Sequence, residues 1–489
     1  MTATASLTHP APAAPHDHAA LRPLHDAPGA TTAWLVGREL LQIRDNPLTA
    51  LDRAFARWGD VFQLSPPGAA AHLFLNSPEA AKEVLLTRQD DFEKSSQYEI
   101  LQRVLGLGLV TSEGALWREH RTIVQPMFAK RALGEFATHM AAAGTDALDR
   151  WEASWTDGQQ VDLSHEMSAV TLDIVGRALV GADFTARSDE FGAALSDMLG
   201  AAGDIGRAPL TQVAGGLPRI GVTRAMRAQP LRSRRMNAAV DILDDVVLEV
   251  IARRRASTQP HDDLLAVLMQ YRHPETGAAL TETHLRDELM TFVTAGHETT
   301  ANGLSWMWAL LSQHPVARDR LVEEVDAVLG GRIPTADDLP ALEWTAACFQ
   351  EAMRLYPPVW MVQRRATVDT QLAGFHIPAG TVASISPWLI HRDARFWPNP
   401  AAFDPSRFLG DAPKQRPRLA YLPFAAGRRM CIGQGFAQME ATIVTALLAQ
   451  RYTFDLMPGV PLDSEPTVTL RPRHGVIAVA HRRSGRAVS

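Results

Sequence analysis

Apolar positions along most of this chain recur at intervals of three and four, the spacing of one helical face. From about Leu116 to Leu329 that pattern predicts a long run of helices, broken near Gly215-Gly-Leu-Pro218 and Pro260-His-Asp262. Within it Leu285–Ser312 reads as one unusually long helix. Asp287 and Glu288 suit the positive end of its dipole, and Gln313-His-Pro315 stops it. Another helix is predicted over Leu339–Leu355, halted by Pro357-Pro358, and a last one over Gly435–Leu448. Alternating patterns are short: Val61–Leu64, Ala71–Leu75, Gln371–Ile377 and Thr381–Ile385. Ser95–Ser112 has loop composition, and a proline-punctuated coil covers Trp397–Phe408. Helices and short strands interleave, which predicts one mixed, mainly α domain with small β-sheets over 30–489. Residues 1–29, rich in Ala, Pro and His, read as a disordered tail.

Composition narrows the class more than it names one. The 489 residues are 46% hydrophobic and 21% charged, with a net charge of −6, so nothing points to nucleic acid. No uncharged apolar run is long enough for a membrane anchor. Two cysteines, Cys348 and Cys431, are too few for a disulfide framework and suit a reducing cytoplasm. Six arginines between Arg219 and Arg235 lie in a stretch without acids and read as a solvated helix face.

Four groups of residues carry candidate chemistry. Cys431 sits in Phe424-Ala-Ala-Gly427-Arg-Arg-Met-Cys431-Ile-Gly433, between two glycines that permit tight turns. Zinc needs several such ligands, whereas one thiolate suffices as the axial ligand of a haem iron. Taken alone, a free cysteine is more often a small buried hydrophobe. In Ala295-Gly-His-Glu-Thr-Thr300, Gly296 and two threonines are poor choices for a helix interior. Thr299 can turn its hydroxyl to the Ala295 carbonyl, and Phe292, Ala295, Gly296 and Thr299 share a face that can lie over a flat cofactor. The plainer reading is a Thr-rich kink with Glu298 facing solvent. In Trp117-Arg-Glu-His-Arg121, Trp117 and Arg121 stand one turn apart and suit a carboxylate. Glu351 and Arg354 can pair at i,i+3, with Arg407 of Asp404-Pro-Ser-Arg-Phe408 as a third member. His120, His297 and His391 are the competing iron ligands, though none lies in a glycine-flanked loop.

In this order the motifs resemble the cytochrome P-450 family of haem-thiolate monooxygenases, and the likeness covers nearly everything after the tail. It implies a helical prism with a β-rich subdomain and haem between the long central helix and the cysteine loop. It also implies Cys431 as iron ligand, with haem b (iron-protoporphyrin IX) bound noncovalently and Phe424, Gly427, Arg429, Gly433, Ala295 and Gly296 around it. Trp117, Arg121 and Arg364 match propionate-binding positions; strand alternation decides whether Arg364 or Arg365 points inward. Glu351, Arg354 and Arg407 match a structural triad, Thr299 and Glu298 the dioxygen and proton-relay positions. Ala425 departs from the glycine common in the family.

The implied reaction inserts one atom of O2 into a lipophilic substrate: a fatty acid, terpenoid or polyketide-like compound. Ile100, Val104, Phe292, Val359, Trp360 and Met361 are the candidate pocket, and Phe191–Gly216 a mobile access lid. Too little chain follows Cys431 for a fused reductase, so a ferredoxin or flavodoxin is expected, docking near Arg118, Lys130, Arg131 and Arg428. A peroxide-driven peroxygenase or isomerase and a non-catalytic haem sensor are the alternatives; neither needs the Glu298-Thr299 pair.

Overall fold

The long helix predicted over Leu285–Ser312 runs as Glu282–Gln313 and forms the spine of the molecule. A computed structural model describes residues 21–65, 70–181, 187–207 and 230–483. The Thr281 hydroxyl accepts from His284 N–H at 3.2 Å and starts the helix a turn before its apolar pattern does. Asp287 and Glu288 therefore lie in the second turn, where both are buried. Beyond Thr300 the helix is buried almost all round, with Trp306 and Trp308 at its core. It packs against helices Leu163–Val175, Pro230–Ala256, Glu343–Leu355 and Gln434–Arg451.

The largest sheet has six strands in the order Gly29–Ala30, Val61–Leu64, His72–Leu75, Val382–Ile385, Val362–Ala366, Phe92–Lys94. Pairing within it is mixed, and Ala383 faces Arg364 across an antiparallel register. Smaller sheets include the hairpin Ser464–Pro466/Leu470–Pro472, which reaches the central helix. Mostly helical, with several small sheets, this is the architecture expected.

Several boundaries differ from expectation for identifiable reasons. Of the expected tail, residues 1–20 lie outside the described residues. Arg22–Pro23 already pairs with Phe375–Ile377, and Gly29–Ala30 with Val61–Leu64, so folded structure begins before residue 30. Gly29 is needed there, because a Cβ would fall 2.0 Å from the Gln63 carbonyl oxygen. The helical run is interrupted by strand Gln159–Asp162, whose partner Ile477–Arg482 is supplied by the far end of the chain. Gln371–Ile377 is two strands, because Ala373 and Gly374, both at positive φ, reverse the chain. Leu339–Leu355 begins as a 3-10 turn around Pro340 and becomes helix only at Glu343. The expected lid is, through Arg207, the helix Ser188–Arg207 with Phe191 and Met198 buried. The rest of the lid and most of the arginine stretch lie outside the described residues.

Candidate active site

The cysteine loop is shaped by its backbone. Cys431 N–H donates to the Phe424 carbonyl at 3.0 Å and Met430 N–H to that of Gly427 at 3.0 Å, closing a tight reversal. Gly427 has φ +75°, and a Cβ there would sit 1.9 Å from the Leu85 carbonyl oxygen. No other residue fits. Ala425 also occupies the left-handed region, at φ +56°. Gly433 begins helix Gln434–Arg451, and its N–H reaches the Cys431 sulfur. The sulfur is open at its own surface while protein encloses it at longer range. That enclosure raises the thiol above its usual value, against the Gly433 N–H and the Arg121 charge.

A cluster of cations lies beside the loop. Arg429 lies over the Trp117 ring at 3.9 Å, donates to the Ser112 carbonyl at 3.0 Å and pairs with Glu113. Arg121 donates to the Met430 carbonyl at 3.3 Å. Register separates the two strand arginines: Arg365 pairs with Glu93 on the neighbouring strand, while Arg364 is buried with no acid partner among the described residues. Lys94, on the adjoining strand, donates to the Val110 carbonyl, and burial with the nearby Arg429 pushes its ammonium well below the ordinary range. Burial likewise brings Arg429 down to about 10. Lys94, Arg364 and Arg429 thus repel one another around a single carboxylate, Glu113.

In the central helix, Thr299 Oγ1 donates to the Ala295 carbonyl at 2.7 Å, as its position four residues on allows. Glu298 is half-buried; its Oε1 accepts from Thr469 Oγ1 at 2.9 Å and Asn302 Nδ2 at 3.1 Å. Gly296 differs from expectation. Its missing Cβ points at Val175, 3.1 Å away, so it admits the neighbouring helix Leu163–Val175. Phe292 stacks on Phe128 with ring centroids 5.8 Å apart.

The expected triad is assembled. Arg354 grips Glu351 through two bonds of 2.7 Å, and Arg407 Nε stands 3.3 Å from the same carboxylate. Arg354 also donates to the carbonyls of His391, Pro400 and Ala402, pinning the coil that leads to the cysteine loop. All three competing histidines are engaged elsewhere: His120 with Glu288, His297 with Ser168, and His391 with the Leu422 N–H. The six pocket candidates fall in three hydrophobic clusters. Ile100, Val104 and Phe292 belong to the main core. Val359 packs on the sheet core, and Trp360 and Met361 against the amino-terminal helices, because strand Val362–Ala366 draws this segment toward the sheets.

A family model described as Cytochrome P450 matches residues 27–479. The chain belongs to the cytochrome P450 family. It is 37% identical to a cytochrome P450 of Mycobacterium tuberculosis over 94% of this chain and 98% of that protein. It is 33% identical to cyclooctatin synthase of Streptomyces melanosporofaciens over 91% and 93%. Pentalenene oxygenase of Streptomyces avermitilis is 31% identical over 94% and 98%. A cytochrome P450 is a haem-thiolate monooxygenase, and the chemistry here is that of an enzyme oxidising a lipophilic substrate with a redox partner's electrons. Among the described residues no helix is long and apolar enough to cross a membrane.

The donor set of this cytochrome P450 fits the haem. Cys431 offers one soft ligand with a donor on its sulfur. Three cations around one carboxylate carry the excess positive charge that two propionates would neutralise. Sequence reasoning missed Lys94, Glu113, Asn302 and Thr469. Asn302, four residues after Glu298, was visible as an i,i+4 neighbour. Thr469 comes from a distant hairpin, and no local pattern announces it.

Proposed function

We propose that this cytochrome P450 binds haem b noncovalently through Cys431 and hydroxylates a terpenoid hydrocarbon in the cytoplasm, with electrons from a ferredoxin or flavodoxin. The observation carrying the substrate is the likeness, over nearly their whole length, to relatives named for cyclooctatin and pentalenene. The buried side chains of Ile100, Val104 and Phe292 suit such an apolar molecule. When bound, the haem would supply the oxygen-activating chemistry: with two electrons and two protons, one atom of O2 enters the substrate and the other leaves as water.

The chain's own residues do the rest. Cys431 would donate electron density to the iron, its sulfur protected by the Gly433 N–H. Arg429, Arg364, Lys94, Arg121 and Trp117 would hold the propionates. Thr299, its hydroxyl bonded to the Ala295 carbonyl, would pass on protons that Glu298 brings inward. Arg118 and Arg131 are exposed and suit an acidic partner, whereas Arg428 is held by Asp90.

The test is optical. Haem-loaded protein, reduced under carbon monoxide, should give the strongly red-shifted band of a thiolate ligand, lost in Cys431→His. Titration with pentalenene should drive a low-to-high-spin shift that dodecanoic acid does not. A shift with the fatty acid alone overturns the substrate class.

A further inference from the structure

The hairpin Ser464–Pro466/Leu470–Pro472 reaches into the molecule and places Thr469 at 6% exposure beside the central helix. Its turn is fixed internally. Thr467 donates its N–H and its hydroxyl to the Thr469 carbonyl, each at 2.9 Å. It is also fixed from three sides. Leu470 N–H donates to the Pro358 carbonyl at 2.9 Å, Trp360 Nε1 to the Thr467 carbonyl at 3.1 Å, and Trp306 Nε1 to the Leu470 carbonyl at 3.2 Å. From this braced turn the Thr469 hydroxyl donates to Glu298 Oε1 at 2.9 Å. Asn302 Nδ2 donates to the same oxygen at 3.1 Å and stands 3.4 Å from Thr469 Oγ1. The other carboxylate oxygen, Oε2, has no hydrogen bond among the described residues.

We propose that Thr469 is a positioning residue for proton delivery: its hydroxyl locks Oε1 of Glu298 so that Oε2 alone takes and gives protons. A carboxylate on a flexible side chain has two equivalent oxygens and several rotamers. Two donors on one oxygen remove that freedom, and a relay gains from fixed geometry. Asn302 alone does not fix it, since it rides on the same helix one turn away; Thr469 ties the carboxylate to a separate, braced element. This rests on the reading of Glu298 as the proton relay.

The haem-loaded enzyme tests it in two ways, with Thr469→Val removing the donor and Thr469→Ser restoring it. The carboxylate stretching band of Glu298, isolated as the infrared difference between wild type and Glu298→Gln, should shift in Thr469→Val and return in Thr469→Ser. With ferredoxin, its reductase and NADH, and no organic substrate, the solvent isotope effect on NADH consumption should change in Thr469→Val and be rescued by Thr469→Ser. The rate itself should fall by about tenfold, the weight of one hydrogen bond to a charged group. An unmoved infrared band overturns the proposal. So does a moved band with turnover unchanged in Thr469→Val while Glu298→Gln slows it. If Glu298→Gln leaves turnover untouched, the relay reading itself falls and the proposal with it. The infrared arm, blind to turnover, separates that case from a missing hydrogen bond.

Discussion

His120 Nδ1 lies 2.5 Å from Glu288 Oε1, and neither side chain reaches solvent. Helix Gly114–Val124 supplies the histidine and the central helix the acid, so the pair fastens the element carrying Trp117 and Arg121 to the spine. The His284 ring meets His120 edge-on at 5.6 Å. Removing one partner leaves a buried group unpaired, so His120→Ala should cost about 1–3 kcal/mol. Glu288→Gln, neutral and of the same shape, should cost less. Urea unfolding of the two variants gives the comparison.

The same pair sets a pH dependence. Burial raises the Glu288 carboxyl above its usual 4.5, with His120 opposing. A raised carboxyl means the fold favours the protonated form. Its contribution is full below 4.5 and drains as pH rises through the folded value. Glu288→Gln should flatten the loss of stability as pH rises above 4.5. A slope equal to wild type would sink the assignment.

Ala425 stands at φ +56°, where a Cβ crowds the following carbonyl at roughly 1–2 kcal/mol. Glycine relieves that strain but adds freedom to the unfolded chain, so Ala425→Gly should stabilise by about 0.5–1 kcal/mol net. Gly427→Ala should do the reverse on a larger scale, since its Cβ meets the Leu85 carbonyl oxygen. Thermal unfolding of the two variants should move in opposite directions, with haem content falling only in Gly427→Ala.

These contrasts show where the sequence was readable. The central helix, the Glu351–Arg354 pair and the cysteine loop are local, so spacing alone placed their partners on one face or in one turn. Glu288 shows the limit. From the sequence it is an acid near a helix start, and only the Thr281 cap, a turn earlier than the apolar pattern, puts it opposite His120. Lys94 and Thr469 were illegible for a stronger reason. Each comes from a short strand or hairpin whose position is set by pairing far along the chain.

His391 links acid stability to the cysteine loop. Its ring is fully buried, and Nε2 accepts the Leu422 N–H at 2.9 Å, two residues before Phe424. Burial first, then the charges of Arg354 and Arg392, hold the imidazole well below its usual 6.5. The neutral ring is the one the fold requires, because a protonated Nε2 cannot accept. Stability from this depressed value is complete above 6.5 and is lost as pH falls below it toward the folded value. His391→Asn, whose amide oxygen can still accept, should lose part of that acid sensitivity and keep the loop. His391→Phe, which cannot accept, strands the Leu422 N–H and should cost about 1–3 kcal/mol at neutral pH. The check is haem retention and urea midpoint across the acid range. Wild type should release haem on acidification, His391→Asn at lower pH, and His391→Phe should bind poorly throughout.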